Sequence, residues 1–169
     1  MNREQFKDFV SHLFDLITDL ASAEKFINDN DSKFSRRTYT RTLFATIDGT
    51  ICVLKQIALI ENSKNPGLLQ DSEIKFLESK RQPTKENVKD TIKIVEKIFI
   101  FELLEINGKE WGLFCQSIDM RNEVTHPKNK DKFVIDDDQI QIIRGVGKWY
   151  LKLIVQILEA IRLEDVCRV

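Results

Sequence analysis

The chain has 169 residues, enough to bury one hydrophobic core and too few for two comfortable ones, so a single domain over 1–169 is expected. Its 42% hydrophobic and 31% charged residues, with only three prolines and six glycines, exclude a disordered or low-complexity chain. With 26 basic against 27 acidic residues, the molecule as a whole lacks the charge to attract nucleic acid or a membrane, and any such affinity must come from a local patch.

In chain order, Phe6, Phe9, Val10, Leu13, Leu16, Ile17 and Leu20 recur at steps of three and four and predict an amphipathic helix over about 3–28, broken by Asn28 to Ser32. Leu43, Ile47, Ile51, Leu54 and Ala58 predict a long second helix over about 34–61, which the turn residues SKNPG end; the two make a helical hairpin. A short helix over about 72–80 follows behind Ser72, and Gln82-Pro83 ends it before Thr84 caps the next. That next helix, over about 85–104, carries Val88, Ile92, Val95, Phe99 and Leu103 and is closed by Asn107-Gly108. Trp111, Phe114, Cys115 and Ile118 form the stripe of a fifth helix. The last, over about 137–163, opens on Asp136 to Asp138 and carries Ile140, Ile143, Gly147, Tyr150, Ile154, Ile157 and Ile161. Only Lys132 to Ile135 alternates in the manner of a strand, so the expected fold is an all-α, up-and-down bundle of about five to six helices.

Several features suggest chemistry and have plainer explanations. Arg144-Gly145-Val146-Gly147-Lys148 resembles a piece of a phosphate loop but lacks the spacing, the Ser/Thr and the preceding strand. Each glycine inside a helix sacrifices about 1 kcal/mol relative to alanine, so close approach of a neighbouring helix, or a dimer contact, is the expected reason for Gly145 and Gly147. Asp136 to Asp138 answer the free N–H groups and positive dipole of a helix start. Cys52, Cys115 and Cys167 show no ligand spacing and His12 has no second histidine nearby, so neither a metal nor a cofactor is expected. The odd cysteine count and the lack of a signal peptide point to reduced thiols and a cytoplasmic protein. Apolar runs such as Ile98 to Phe101 fall far short of the roughly 20 residues that span a bilayer, so no membrane contact is expected.

The stretch RNEVTHPKNK, 121–130, stands apart. Continuing the fifth helix's stripe at three and four residues reaches Arg121 and Asn122, which puts a guanidinium on the inward face. Burying it without a partner costs several kcal/mol, so Arg121 must meet a carboxylate, water or an anion. Pro127 restricts the residue before it to extended backbone, so the helix should end between Glu123 and His126, freeing His126 to fold back toward Arg121.

Arg121, Asn122 and His126, followed by proline at a helix end in an all-α chain, resemble the RxxxxH motif of HEPN domains, with the likeness running over roughly 36–162. The resemblance implies a small helical homodimer in which two copies of the motif face each other. In active members they form a metal-independent endoribonuclease site for single-stranded RNA; inactive members bind RNA or protein. A toxin–antitoxin or phage-defence setting, with an antitoxin or defence-system partner, is part of what it implies. In that scheme His126 takes the proton of a ribose 2′-OH, Arg121 neutralises charge growing on the phosphate, and Asn122 orients the histidine or donates another hydrogen bond. Asp48 is the carboxylate expected to meet Arg121 or orient His126, because related domains often carry an acid there. The toxin subgroup has a tyrosine two residues after the histidine; Lys128 stands there in this chain, so control through that tyrosine is not expected.

Two basic clusters are candidates for holding RNA backbone: Arg36, Arg37 and Arg41, and Lys128, Lys130 and Lys132 beside the motif, with Tyr39 the lone aromatic that could stack on a base. Two functions of different class are thereby expected. A ribonuclease needs Arg121 and His126 exposed toward a cleft, whereas a non-catalytic interaction module can bury the pair as a structural latch.

Overall fold

Helix α2 (Lys33–Lys64) is the axis of the computed structural model, which describes residues 3–79, 81–102, 108–127 and 134–167. Around it pack α1 (Arg3–Asp29), α3 (Asp71–Glu78), α4 (Thr84–Phe99), α5 (Lys109–Thr125) and α6 (Asp137–Cys167), giving an all-α bundle of six helices among the described residues. One cluster of buried side chains draws on all six.

The breaks follow from local hydrogen bonds. Ser32 and Ser35 cap α2 reciprocally: the Ser35 N–H donates to Ser32 Oγ at 3.2 Å and the Ser32 N–H to Ser35 Oγ at 2.9 Å. Ser35 Oγ also donates to the carbonyl of Asn30 at 2.6 Å, which ties down the α1–α2 turn. At the start of α3 the Gln70 N–H donates to Glu73 Oε2 at 2.7 Å, and the same carboxylate pairs with Lys97 at 2.7 Å, joining α3 to α4. Asp136 accepts from the Gln139 N–H at 2.8 Å, the capping role expected of the acidic run before α6.

Three boundaries differ from expectation: α3 starts behind Gln70 and not Ser72, α4 starts behind Pro83 and not Thr84, and α4 ends early. The helix predicted to reach about residue 104 stops at Phe99, because Ile100 turns left-handed at φ 51° and ψ 52° and both it and Phe101 donate backbone N–H groups to the carbonyl of Glu96. This is a helix-ending bond pattern normally given to glycine. Here it buries Phe99 and leaves Ile100 85% exposed. Gly108, expected to close that helix, instead precedes the first turn of α5. Lys132 and Phe133, half of the weak strand candidate, lie outside the described residues, and no strand occurs among those described; Ile135 is a buried core residue.

The α5–α6 contact is aromatic. Phe114 lies 5.8 Å from Trp149 and 5.1 Å from Trp111 between ring centroids, and 6.3 Å from Phe44 of α2. The two glycines of α6 part company. A Cβ on Gly147 would come within 2.5 Å of Tyr39 Oη, the close helix approach that was expected, whereas a Cβ on Gly145 would meet nothing within 4 Å. Arg144, of the same stretch, pairs with Glu24 and donates to Asn28 Oδ1 at 2.6 Å, so it fastens α6 to α1. Helix α2 is long and apolar enough to cross a membrane, with mean hydropathy 1.7 over its most apolar window, but 61% of that window is buried inside the bundle.

Candidate functional site

Packing of Phe114 on Phe44 fixes how α5 lies on α2, and two turns later it brings Arg121 over the same Phe44 ring, 5.6 Å from guanidinium carbon to centroid. From there Arg121 Nη2 lies 3.4 Å from Asp48 Oδ2 and Nη1 donates to Asn122 Oδ1 at 3.1 Å. The Asp48–Arg121 contact anticipated from the sequence is therefore present. Both side chains remain partly open, at 25% for Arg121 and 45% for Asp48, so the pair contributes at most about 1 kcal/mol to stability after solvent screening. Burial pushes the Asp48 carboxyl above its ordinary pKa, and the positive charge of Arg121 only partly offsets that.

Asp48 is also one end of a polar face on α2. Asp48, Cys52, Lys55, Gln56 and Leu59, at steps of three and four, form one wall of an open groove of about 640 Å³. Leu77, Glu78 and Ser79 at the end of α3, with Gln82, Thr84 and Asn87 at the start of α4, form the other, and Arg121 reaches in from α5. Lys55 is only 8% exposed. Its ammonium lies 3.5 Å from the carbonyls of Phe76 and Ser79 and 4.6 Å from the centre of the Phe76 ring, where it satisfies the C-terminal end of α3. Burial lowers its pKa. This groove was missed in the sequence, although a lysine directly after Leu54 and four residues beyond Ile51 interrupts an apolar run and was a signal for it.

The end of α5 is as anticipated. The helix stops at Thr125, and His126 leaves it at φ −129° and ψ 64° while its N–H donates to the Asn122 carbonyl at 2.9 Å. The His126 ring is exposed and makes no hydrogen bond or ion pair with the described residues. The structure thus joins Arg121, Asn122 and Asp48, while no hydrogen bond links the His126 ring to them.

The basic candidates divide. Lys128, Lys130 and Lys132 lie outside the described residues. Arg41 Nη2 donates to the Val124 carbonyl at 2.9 Å, which places this exposed arginine at the end of α5 beside the motif. Arg36 is committed to the fold: it holds Asp31 through two bonds of 2.6 Å, pairs with Asp137 at 2.7 Å and donates to the Ile135 carbonyl, so its charge is already matched. Arg37 is half-buried, and Tyr39 is 3% exposed, which removes it as a stacking platform. Among the described residues no group of three or more His, Cys, Asp or Glu is placed to hold a metal ion.

A partly buried carboxylate beside an arginine with spare donors, at the mouth of a polar groove, can bind a polar or phosphorylated ligand. Compared with known proteins, the chain matches no family model, no curated protein and no solved structure.

Proposed function

We propose that this protein is a metal-independent, HEPN-type endoribonuclease that cleaves single-stranded RNA by 2′-OH transesterification, acting as a homodimer in the cytoplasm with an antitoxin or defence-system partner. The observation that carries this reading is the end of α5: Arg121 lines an open groove with Asp48 and donates to Asn122 beside it, and His126 stands exposed where Pro127 stops the helix. His126 takes the proton from the 2′-OH, the freed oxygen attacks phosphorus, and the bond to the 5′-oxygen breaks as that oxygen takes up a proton. The products are a 2′,3′-cyclic phosphate and a free 5′-OH. Arg121, with five N–H donors of which two serve Asp48 and Asn122, neutralises the charge growing on phosphate. Arg41, at the same end of α5, adds positive charge beside the path of the strand.

A non-catalytic RNA- or protein-binding module is the second reading. It is favoured by the Asp48 pair and the Phe44 stacking, which make Arg121 a latch between α5 and α2. Purified wild type and His126→Ala should be compared on end-labelled single-stranded RNA, with and without chelator. The ribonuclease reading expects cleavage by wild type that is insensitive to chelator and lost in the variant. Equal cleavage by the two, or none by either, gives the second reading.

A further inference from the structure

We infer that the groove between α2 and the α3–α4 corner is a nucleobase subsite, which takes the base of the nucleotide whose phosphate meets Arg121 and favours bases with an exocyclic amino group. This deepens the ribonuclease reading and rests on RNA being the ligand.

Volume is the first reason. At about 640 Å³ the groove falls within the roughly 300–1,000 Å³ typical of small-molecule sites. Charge is the second, because the lining carboxylates Asp48 and Glu78 offset the lining cations Lys55 and Arg121. A groove of formal charge zero is no trap for a polyanion, and the Lys55 ammonium is turned onto the carbonyls of Phe76 and Ser79. What fits is an uncharged body rich in hydrogen-bonding edges, and the base is that part of a nucleotide. Arg121, at the α5 side, is left to meet the phosphate.

The third reason is an unmet hydrogen bond. Asn87 lines the groove, and its Oδ1 is shielded from solvent with no hydrogen-bond partner in the described structure. Buried acceptors of this kind are normally satisfied. The half-buried Asn87 amide need only turn about its terminal bond to present Oδ1 to the groove, where an exocyclic amino group, present on adenine, cytosine and guanine and absent from uracil, is a donor suited to it. Gln56, exposed on the facing wall, offers both a donor and an acceptor to the same base edge. Leu59 and Leu77 supply apolar surface for the ring faces.

Cys52 lies in the groove wall and is exposed, so its alkylation reports occupancy. The experiment uses the full chain with Cys115→Ser and Cys167→Ser, and measures maleimide modification of Cys52 in the presence of 2′-O-methyl trinucleotides. Adenine and cytosine trinucleotides should slow modification about tenfold at saturation, while uracil and abasic trinucleotides should bind about tenfold more weakly. Gln56→Ala and Asn87→Ala should each weaken adenine binding by about tenfold. Gln56 is exposed, so its variant keeps the test valid if Asn87→Ala fails to fold. No protection at millimolar trinucleotide, equal protection by the abasic compound, or unchanged affinity in Gln56→Ala overturns the subsite. The 2′-O-methyl group blocks the attacking oxygen, so binding is read without cleavage. Protection without His126-dependent cleavage keeps the subsite and sinks the ribonuclease reading; His126-dependent cleavage without protection does the reverse.

Discussion

Alanine at Gly147 sets helix propensity against packing, and the structure gives a size for each. Alanine in a helix interior is favoured over glycine by about 1 kcal/mol. Against that, the new methyl group would lie 2.5 Å from Tyr39 Oη and 3.6 Å from Leu43 Cδ1. Tyr39 is 3% exposed, and its hydroxyl lies beside the Glu24–Arg144 ion pair, so the ring has no easy retreat. Overpacking of that kind costs about 1–3 kcal/mol, which leaves Gly147→Ala destabilised by about 1 kcal/mol. Gly145, two residues away on the same helix, has open space at the Cβ position, so Gly145→Ala should gain the propensity of about 1 kcal/mol undiminished. The two variants should therefore differ by about 2 kcal/mol, or roughly 4–8 °C in Tm for a chain of this size. Urea unfolding followed by far-UV circular dichroism, with equal m-values, measures the gap. If Gly147→Ala is as stable as Gly145→Ala, the reading of α6 packed tightly on Tyr39 is wrong.

Arg121→Ala and His126→Ala should each lower RNA cleavage by about 10² or more, and mass spectrometry of wild-type products should find 2′,3′-cyclic phosphate ends. Because burial raises the Asp48 pKa, the folded protein keeps that proton to higher pH than the unfolded chain, whose value is near the ordinary 3.8. Stability from this group is therefore lost as pH rises from about there through the raised value, and the melting temperature of wild type relative to Asp48→Asn should fall across that window; a constant difference would refute the assignment. Ile100→Gly should stabilise the protein by about 1 kcal/mol, since a β-branched residue at positive φ is strained and its side chain is 85% exposed, and thermal unfolding would detect the gain.

The helices were legible because their apolar residues keep a 3.6-residue period, and Pro127 announced where α5 ends. Asp48 came from the resemblance and not from a local pattern, since related domains often carry an acid there, and the structure sets it against Arg121. The end of α4 was not legible, because propensity disfavours a left-handed isoleucine and Leu103 continues the stripe past the true stop. Gly145 and Gly147 look alike in sequence, yet two helical steps turn them about 200° apart, so only one of them faces α2. The groove was hidden for a different reason. Its walls come from α2, the α3–α4 corner and α5, and no local pattern links residues so far apart in the chain.

Asp48 sits at the midpoint of the 32-residue α2, whose backbone bonds are enclosed by all five other helices, whereas His126 sits at the very end of α5. Amide hydrogens in the first position exchange with solvent only through the largest openings of the molecule, while those at a helix terminus exchange through small, frequent fraying. The proposed reaction centre is thus half fixed and half loose. A ligand bridging Arg121 and His126 would leave the exchange of the α2 centre almost untouched and slow that of Val124 to His126. Its affinity would carry the entropy of stilling that one helix end.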